Sequence, residues 1–155
     1  MSISVRLKSV LETNHIPYSQ ISHVPTYSAQ YAAAVMHAPG KDVAKTVVLR
    51  SGKSNLIALL PASCHINLQK LAAAAGAPVS IVEEQECDRL FPDCEPGAVP
   101  PFGELYGLPV YMDAALAADP EIILSSGTHS DALRMLSADF IRLVKPKVCA
   151  FAERP

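Results

Sequence analysis

Apolar positions along the chain fall into short blocks whose period changes repeatedly between helical and extended spacing. Ile3, Leu7, Val10 and Leu11 recur at helical spacing and predict an opening amphipathic helix. Residues 18–22 read as a short strand, and Ser28 offers an N-cap to AQYAAAVM, a helix fading toward Pro39-Gly40. KTVVLR and NLIALLP are β-rich runs separated by Ser51-Gly52-Lys53-Ser54, so they predict a hairpin. A helix follows with Asn67 as cap, Leu68, Leu71, Ala72 and Ala75 as buried stripe, and Gly76 and Pro78 as stop. Residues 79–82 read as a strand, and EEQECDRLF as a helix with acids in its first turn, ending at Pro92.

CEPGAVPPFGELYG is too rich in proline and glycine for a helix or a central strand. Beyond it, PVYMD and EIILSS read as strands around an alanine-rich helix, and DALRMLS as another strand. Ser137 is expected to cap a last helix, ADFIRLVK, stopped by Pro146. Strands and helices interleave, with at least one hairpin. The expectation is an α/β fold around a mixed sheet, in one domain over residues 1–155.

Composition narrows the class of protein. The 155 residues are half apolar and 18 % charged, which suits a packed core and argues against disorder. No apolar run reaches the roughly 18–20 residues of a membrane span. The N-terminal segment has charges spread through it and no signal-peptide core, so a cytoplasmic protein is expected. Cys64, Cys87, Cys94 and Cys149 show no CxxC spacing, and reduced thiols are expected. The net charge of −2 opposes broad binding of nucleic acid through phosphates, so any such contact is local or helped by a partner.

Three places could carry chemistry, and one apparent motif could not. Gly52-Lys53-Ser54 is not a phosphate-binding loop, because Val47 stands where the first glycine is needed and a strand follows instead of a helix. Lys45 opens an apolar strand; it is either a snorkelling surface residue or a fixed cation at a pocket mouth. The GAVPPFG loop, residues 97–103, is stiffened by Pro100 and Pro101. Its free N–H groups can come only from Gly97, Ala98, Val99, Phe102 or Gly103. Such a loop is a surface turn or a set of donors placed in advance for a carbonyl or oxyanion. SSGTHSD, residues 125–131, displays His129 on a turn that Gly127 permits, either as a solvated loop residue or as a catalytic group. The histidines do not group by spacing into a metal site, and no activated serine or cysteine motif is present, so neither metal nor cofactor is expected.

Taken together, the segments resemble the YbaK-like family, which includes the editing domain inserted in many bacterial prolyl-tRNA synthetases. HVPTYSAQYAA, DVAKTVVL, LLPASCHINLQKL, the GxxxP loop of residues 97–101, GTHSD and ADFIRLVKP stand in the family's order, over about residues 18–152. The resemblance implies a mostly antiparallel, barrel-like sheet surrounded by helices. It implies a trans-acting deacylase for mischarged tRNA, first of all tRNA for proline carrying alanine, or tRNA carrying cysteine, serine or threonine. Lys45, Gly97, Ala98 and Val99 would then be catalytic. Thr26, Tyr27, Thr46, Pro100, Pro101, Gly127, Thr128 and His129 would bind substrate. The expected partners are the acceptor end of aminoacyl-tRNA and a synthetase or elongation factor, with the chain a monomer or weak homodimer. Lys41, Lys45, Lys53, Lys70, Arg142, Lys145 and Lys147 are candidates for a local basic patch. A small-acyl esterase and a non-catalytic module that binds a tRNA end or nucleotide are the competing readings.

Overall fold

In the computed structural model, residues 5–25, 29–95 and 98–154 are described, the side chains of Ala29 and Gln30 excepted. The chain runs α1 (Val5–Thr13), β1 (Ser19–Ser22), α2 (Ala29–Val35), β2 (Ala44–Ser51), β3 (Ser54–Pro61), β4 (His65–Ile66), α3 (Leu68–Ala75), β5 (Val79–Ile81) and α4 (Glu84–Leu90). A 3₁₀ turn (Gly103–Leu105) leads to β6 (Val110–Asp113), α5 (Ala114–Ala117), β7 (Glu121–Ser125), β8 (Asp131–Leu136), α6 (Ser137–Val144), β9 (Lys147–Cys149) and β10 (Ala152–Glu153).

The expected hairpin forms the centre. β2 and β3 pair antiparallel from Ala44↔Pro61 to Ser51↔Ser54. The turn between them holds Gly52 at φ 63°, a conformation that glycine adopts without a Cβ penalty. The hairpin lies inside a five-stranded mixed sheet of order β5-β2-β3-β6-β9, with β6 and β9 added in parallel. A three-stranded antiparallel sheet, β1-β8-β7, packs beside it, and β10 pairs with β4. The two larger sheets meet where β2 begins. Val43 bridges Ile123 in parallel, and the Ile123 N–H donates to the Asp42 carbonyl at 2.9 Å. The fold is thus mixed and mostly antiparallel, as expected, but no barrel closes among the described residues.

Alternation along β3 explains its unbroken apolar sequence. Leu56, Ala58 and Leu60 face Cys64, Leu71 and Phe151. On the other face Ile57 packs with Phe91, Val99 and Val110, and Leu59 with Leu7, Leu11, Phe102 and Phe140. A strand covered on both sides gains from apolar residues at every position, each buried side chain contributing about 1.5–3 kcal/mol. Leu7 and Leu11, one helical turn apart, carry α1 into the same interior.

Local signals set both ends of α3. Asn67 accepts from the Lys70 N–H at 3.0 Å, and Gly76 closes α3 at φ 80°. Two expectations need correction. Leu68 is 40 % exposed and only Leu71 of the predicted stripe is fully buried, because α3 is short and touches the core along one line. Ser137 does not cap α6: its hydroxyl donates to the Asp119 carbonyl, and Leu136 holds the cap position in extended conformation.

Asp113, at the end of β6, anchors the C-terminal segment. Its Oδ1 accepts the N–H groups of Phe151 and Ala152, both at 2.9 Å, while Oδ2 caps α5 through the Ala115 N–H. Gly103 holds a second tight junction. A Cβ built there would stand 2.0 Å from the Leu108 carbonyl oxygen and 2.8 Å from Val110 Cγ2. Both neighbours are backbone or packed side chain, so Gly103→Ala is expected to cost about 3 kcal/mol or more, read as a lowered urea midpoint.

Candidate active site

Lys45 is half-buried near the start of β2, and its Nζ donates to the Cys64 carbonyl at 2.7 Å. An ammonium has three donors, and the others have no partner among the described residues. Burial holds its pKa below the usual lysine range, partly opposed by Cys64 nearby. A partly desolvated cation with donors in hand is suited to an anionic or carbonyl oxygen.

The β2–β7 seam gives Lys45 its neighbours. Two residues past the Val43–Ile123 bridge, on the two parallel strands, lie Lys45 and Ser125, and the 126–131 turn begins directly beyond. Asp131 organises that turn. It is buried, and it accepts hydrogen bonds from Thr128 Oγ1 at 2.9 Å, Ser22 Oγ at 3.0 Å, Ser130 Oγ at 3.3 Å and Gln20 Nε2 at 3.4 Å. Ser126 Oγ donates to the Asp131 carbonyl, closing the turn on itself.

Burial alone would raise the Asp131 pKa, but these four donors outweigh it and hold the carboxyl below its ordinary value. A carboxyl with a depressed folded pKa contributes stability above its unfolded pKa, and that contribution disappears as pH falls through the folded pKa. Asp131→Asn is therefore expected to unfold more easily at pH 7, by about 2 kcal/mol. The gap should close as pH drops below about 4, which urea titrations at several pH values will show.

The GxxxP loop is stitched to this turn. The Glu95 N–H donates to the Gly127 carbonyl at 2.8 Å, and the Gly127 N–H to the Ala98 carbonyl at 2.9 Å. Ala98, Val99, Pro100 and Pro101 are all buried, and Val99 packs against Val48 and Ile57. Of the donors named from sequence, Ala98 gives its N–H to the Glu95 carbonyl and Phe102 gives its own to Pro100. The Val99 N–H has no partner among the described residues. Gly97, Thr26 and Tyr27, also expected in the site, lie outside those residues, as does Ser28 with its expected cap.

The strand pattern separates Thr46 from Lys45. Ala44 and Val48 turn toward the face that carries Phe102 and Val99, and Thr46 shares their parity, while Lys45 shares that of Val43 and Val47. Thr46 Oγ1 is buried with no hydrogen-bond partner among the described residues. Neighbours along a strand point to opposite faces, so Thr46 and Lys45 project from opposite sides of β2. Gly127 is buried at φ 111°, Thr128 gives its hydroxyl to Asp131, and His129 is half-buried with its N–H on Glu95 Oε1 at 2.6 Å. Asp131 and Glu95 were not among the residues read from sequence. Asp131 alone had a signal there, a carboxylate three residues after a threonine in a glycine turn.

Three of the four thiols are not prepared for attack. Burial pushes Cys94 up to about 11 and raises Cys87 and Cys149, so these three stay protonated near neutral pH. Among the described residues no group of three His, Cys, Asp or Glu side chains could hold a metal. Several of the candidate basic residues have partners. Lys41 pairs with Asp42 and Asp119, Lys70 with Glu153 and Arg142 with Asp139, while Lys147 Nζ donates to the Ala74 carbonyl.

Residues 23–143 match the aminoacyl-tRNA editing domain family, and the chain belongs to it. Among curated proteins none matches the chain significantly. Its structure is similar to that of a proposed trans-editing enzyme for prolyl-tRNA synthetase, with 25 % identity and a TM-score of 0.83 over 98 % of this chain and 99 % of that one. A hypothetical protein, APE2540, shares the fold at 17 % identity and a TM-score of 0.87, covering 96 % and 99 %. The same fold occupies 31 % of a longer chain from Marinobacter aquaeolei VT8 described as a signal transduction protein, at 21 % identity and a TM-score of 0.77 over 97 % of this chain.

Proposed function

We propose that the chain is a trans-acting deacylase that hydrolyses the ester bond of a mischarged tRNA, with tRNA for proline carrying alanine as its first substrate. The observation that carries this reading is the convergence of three segments at the β2–β7 seam. A desolvated lysine stands level with the strand end from which the 126–131 turn departs, and that turn is bonded to the GxxxP loop. Membership of the editing family and the trans-editing enzyme of similar structure support the choice of substrate class. Tight exclusion of small amino acids by size is beyond a synthetic pocket, since a methylene is worth only about 1–3 kcal/mol, and a second hydrolytic site answers that need.

In this mechanism Lys45 fixes the terminal nucleotide, and the loop backbone holds the ester carbonyl, with Val99 N–H and Gly97 as donors. Water attacks the carbonyl carbon, assisted by the neighbouring ribose hydroxyl acting on its proton. A C–O bond to water forms, the ester C–O bond to the ribose breaks, and the proton ends on the ribose oxygen. Preset donors and positioning supply most of the acceleration, and no protein nucleophile takes part. Pro100 and Pro101 keep the loop stiff, while Gly127, Thr128 and His129 border the amino-acid side.

Because three of the candidate surface cations face carboxylates, contact with tRNA is confined to the acceptor end, and a synthetase or elongation factor would deliver the rest. The setting is the cytoplasm; no helix among the described residues is long and apolar enough to cross a membrane. Comparison of an aminoacyl-tRNA with the free aminoacyl ester tests the proposal. Preference for the tRNA-borne ester is expected, and equal rates would point to a small-acyl esterase instead.

A further inference from the structure

Glu95 is joined to the site through three of its groups. Its N–H donates to the Gly127 carbonyl at 2.8 Å, and its own carbonyl accepts from the Ala98 N–H at 3.0 Å. Its Oε1 accepts from the His129 N–H at 2.6 Å, across 34 residues of chain. The Gly127 N–H returns to the Ala98 carbonyl, so Glu95, Ala98, Gly127 and His129 are tied together by a closed set of hydrogen bonds. The first two bonds use backbone atoms and do not depend on the carboxylate. The third depends on the carboxylate, although Glu95 is exposed to solvent.

A short bond from an N–H to a carboxylate is charge-assisted, about twice as strong as a neutral one. Here it fixes the peptide of His129 against the start of the GxxxP loop. We infer that Glu95 is a positioning residue, whose carboxylate holds the His129 turn and the carbonyl-binding loop in the one relative placement that supports hydrolysis. The inference rests on the deacylase reading of that loop. Glu95 itself touches no reacting atom. Its effect is exerted through the separation between the Val99 N–H and the side chain of His129. An error of about 1 Å in such a placement can cost 100-fold in rate.

Glu95→Ala and Glu95→Gln, assayed with mischarged tRNA in single turnover and steady state, separate this role from general support of the fold. The alanine variant is expected to lose about 10- to 100-fold in kcat. Its KM should stay within about threefold, because ground-state binding of the acceptor end is untouched. Glutamine keeps an acceptor oxygen at the same reach and should recover most of the loss. Amide hydrogen exchange at His129 should accelerate in the alanine variant and not in the glutamine one, with thermal unfolding little changed in either. Wild-type kcat in Glu95→Ala, or a Glu95→Gln variant as impaired as the alanine one, would overturn the inference. A loss in kcat without faster exchange at His129 would overturn it too, since the tie would not be the cause. If the wild-type protein deacylates no charged tRNA, the functional reading fails with it, whereas active Lys45-dependent enzyme with an indifferent Glu95 sinks the positioning role alone.

Discussion

Lys45→Ala is expected to lower deacylation at least about 100-fold, the scale on which one preset electrostatic contact acts in a partly dry site. Stability should change little. The side chain is half-buried and makes one hydrogen bond, to the Cys64 carbonyl, worth about 1 kcal/mol. The neighbours Ala44, Val48 and Leu49 are buried by their own packing and do not depend on the ammonium. Lys45→Arg keeps the charge on a wider, planar head, so intermediate activity is expected. Single-turnover rates, with urea denaturation alongside, check both parts. Full activity in Lys45→Ala would remove the lysine from the mechanism.

Asp113→Ala is expected to give the largest loss of stability, about 3–5 kcal/mol, without touching the site directly. The carboxylate serves two backbone N–H groups at the C-terminal segment and one at the start of α5, and it is almost fully buried. Alanine leaves those donors without partners in a dry environment and removes the α5 cap as well. Phe151, fully buried and adjacent to two of the broken bonds, would lose its fixed place over Leu71. The measurable result is a fall in unfolding midpoint, with unfolding of the 147–154 segment seen first by hydrogen exchange.

How far these features could be read in advance differs from element to element. The β2–β3 hairpin was plain, because two apolar runs flank a glycine turn and both strands are long enough to show their pattern. α3 was equally legible through Asn67 and Gly76. β4, β9 and β10 were not, since two or three residues show no period, and each exists only because a distant partner supplies its hydrogen bonds. Ser137 misled in a different way: its hydroxyl had a choice between a helix N–H and a distant carbonyl, and tertiary packing decided for Asp119.

In the site the pattern repeats. Lys45 and the GxxxP loop were identified from residue type and resemblance, but their shared neighbourhood depends on the β2–β7 seam, a pairing between strands far apart in sequence. The facing of Thr46 depends on the register of β2, which the sequence does not show, and strand alternation puts it opposite Lys45. Glu95 carried no signal at all: an exposed glutamate before Pro96 is an ordinary loop residue until the turn holding His129 folds onto it.

The central claim is ester hydrolysis on mischarged tRNA, and one measurement addresses it most directly. Wild-type protein and Lys45→Ala would be given tRNA for proline charged with alanine, alongside tRNAs charged with cysteine, serine and threonine, and release of the amino acid followed. The account predicts that the wild-type chain strips at least one of the panel, alanine foremost, and that Lys45→Ala strips none above the uncatalysed rate. Failure of the wild-type chain to deacylate any of them would contradict it.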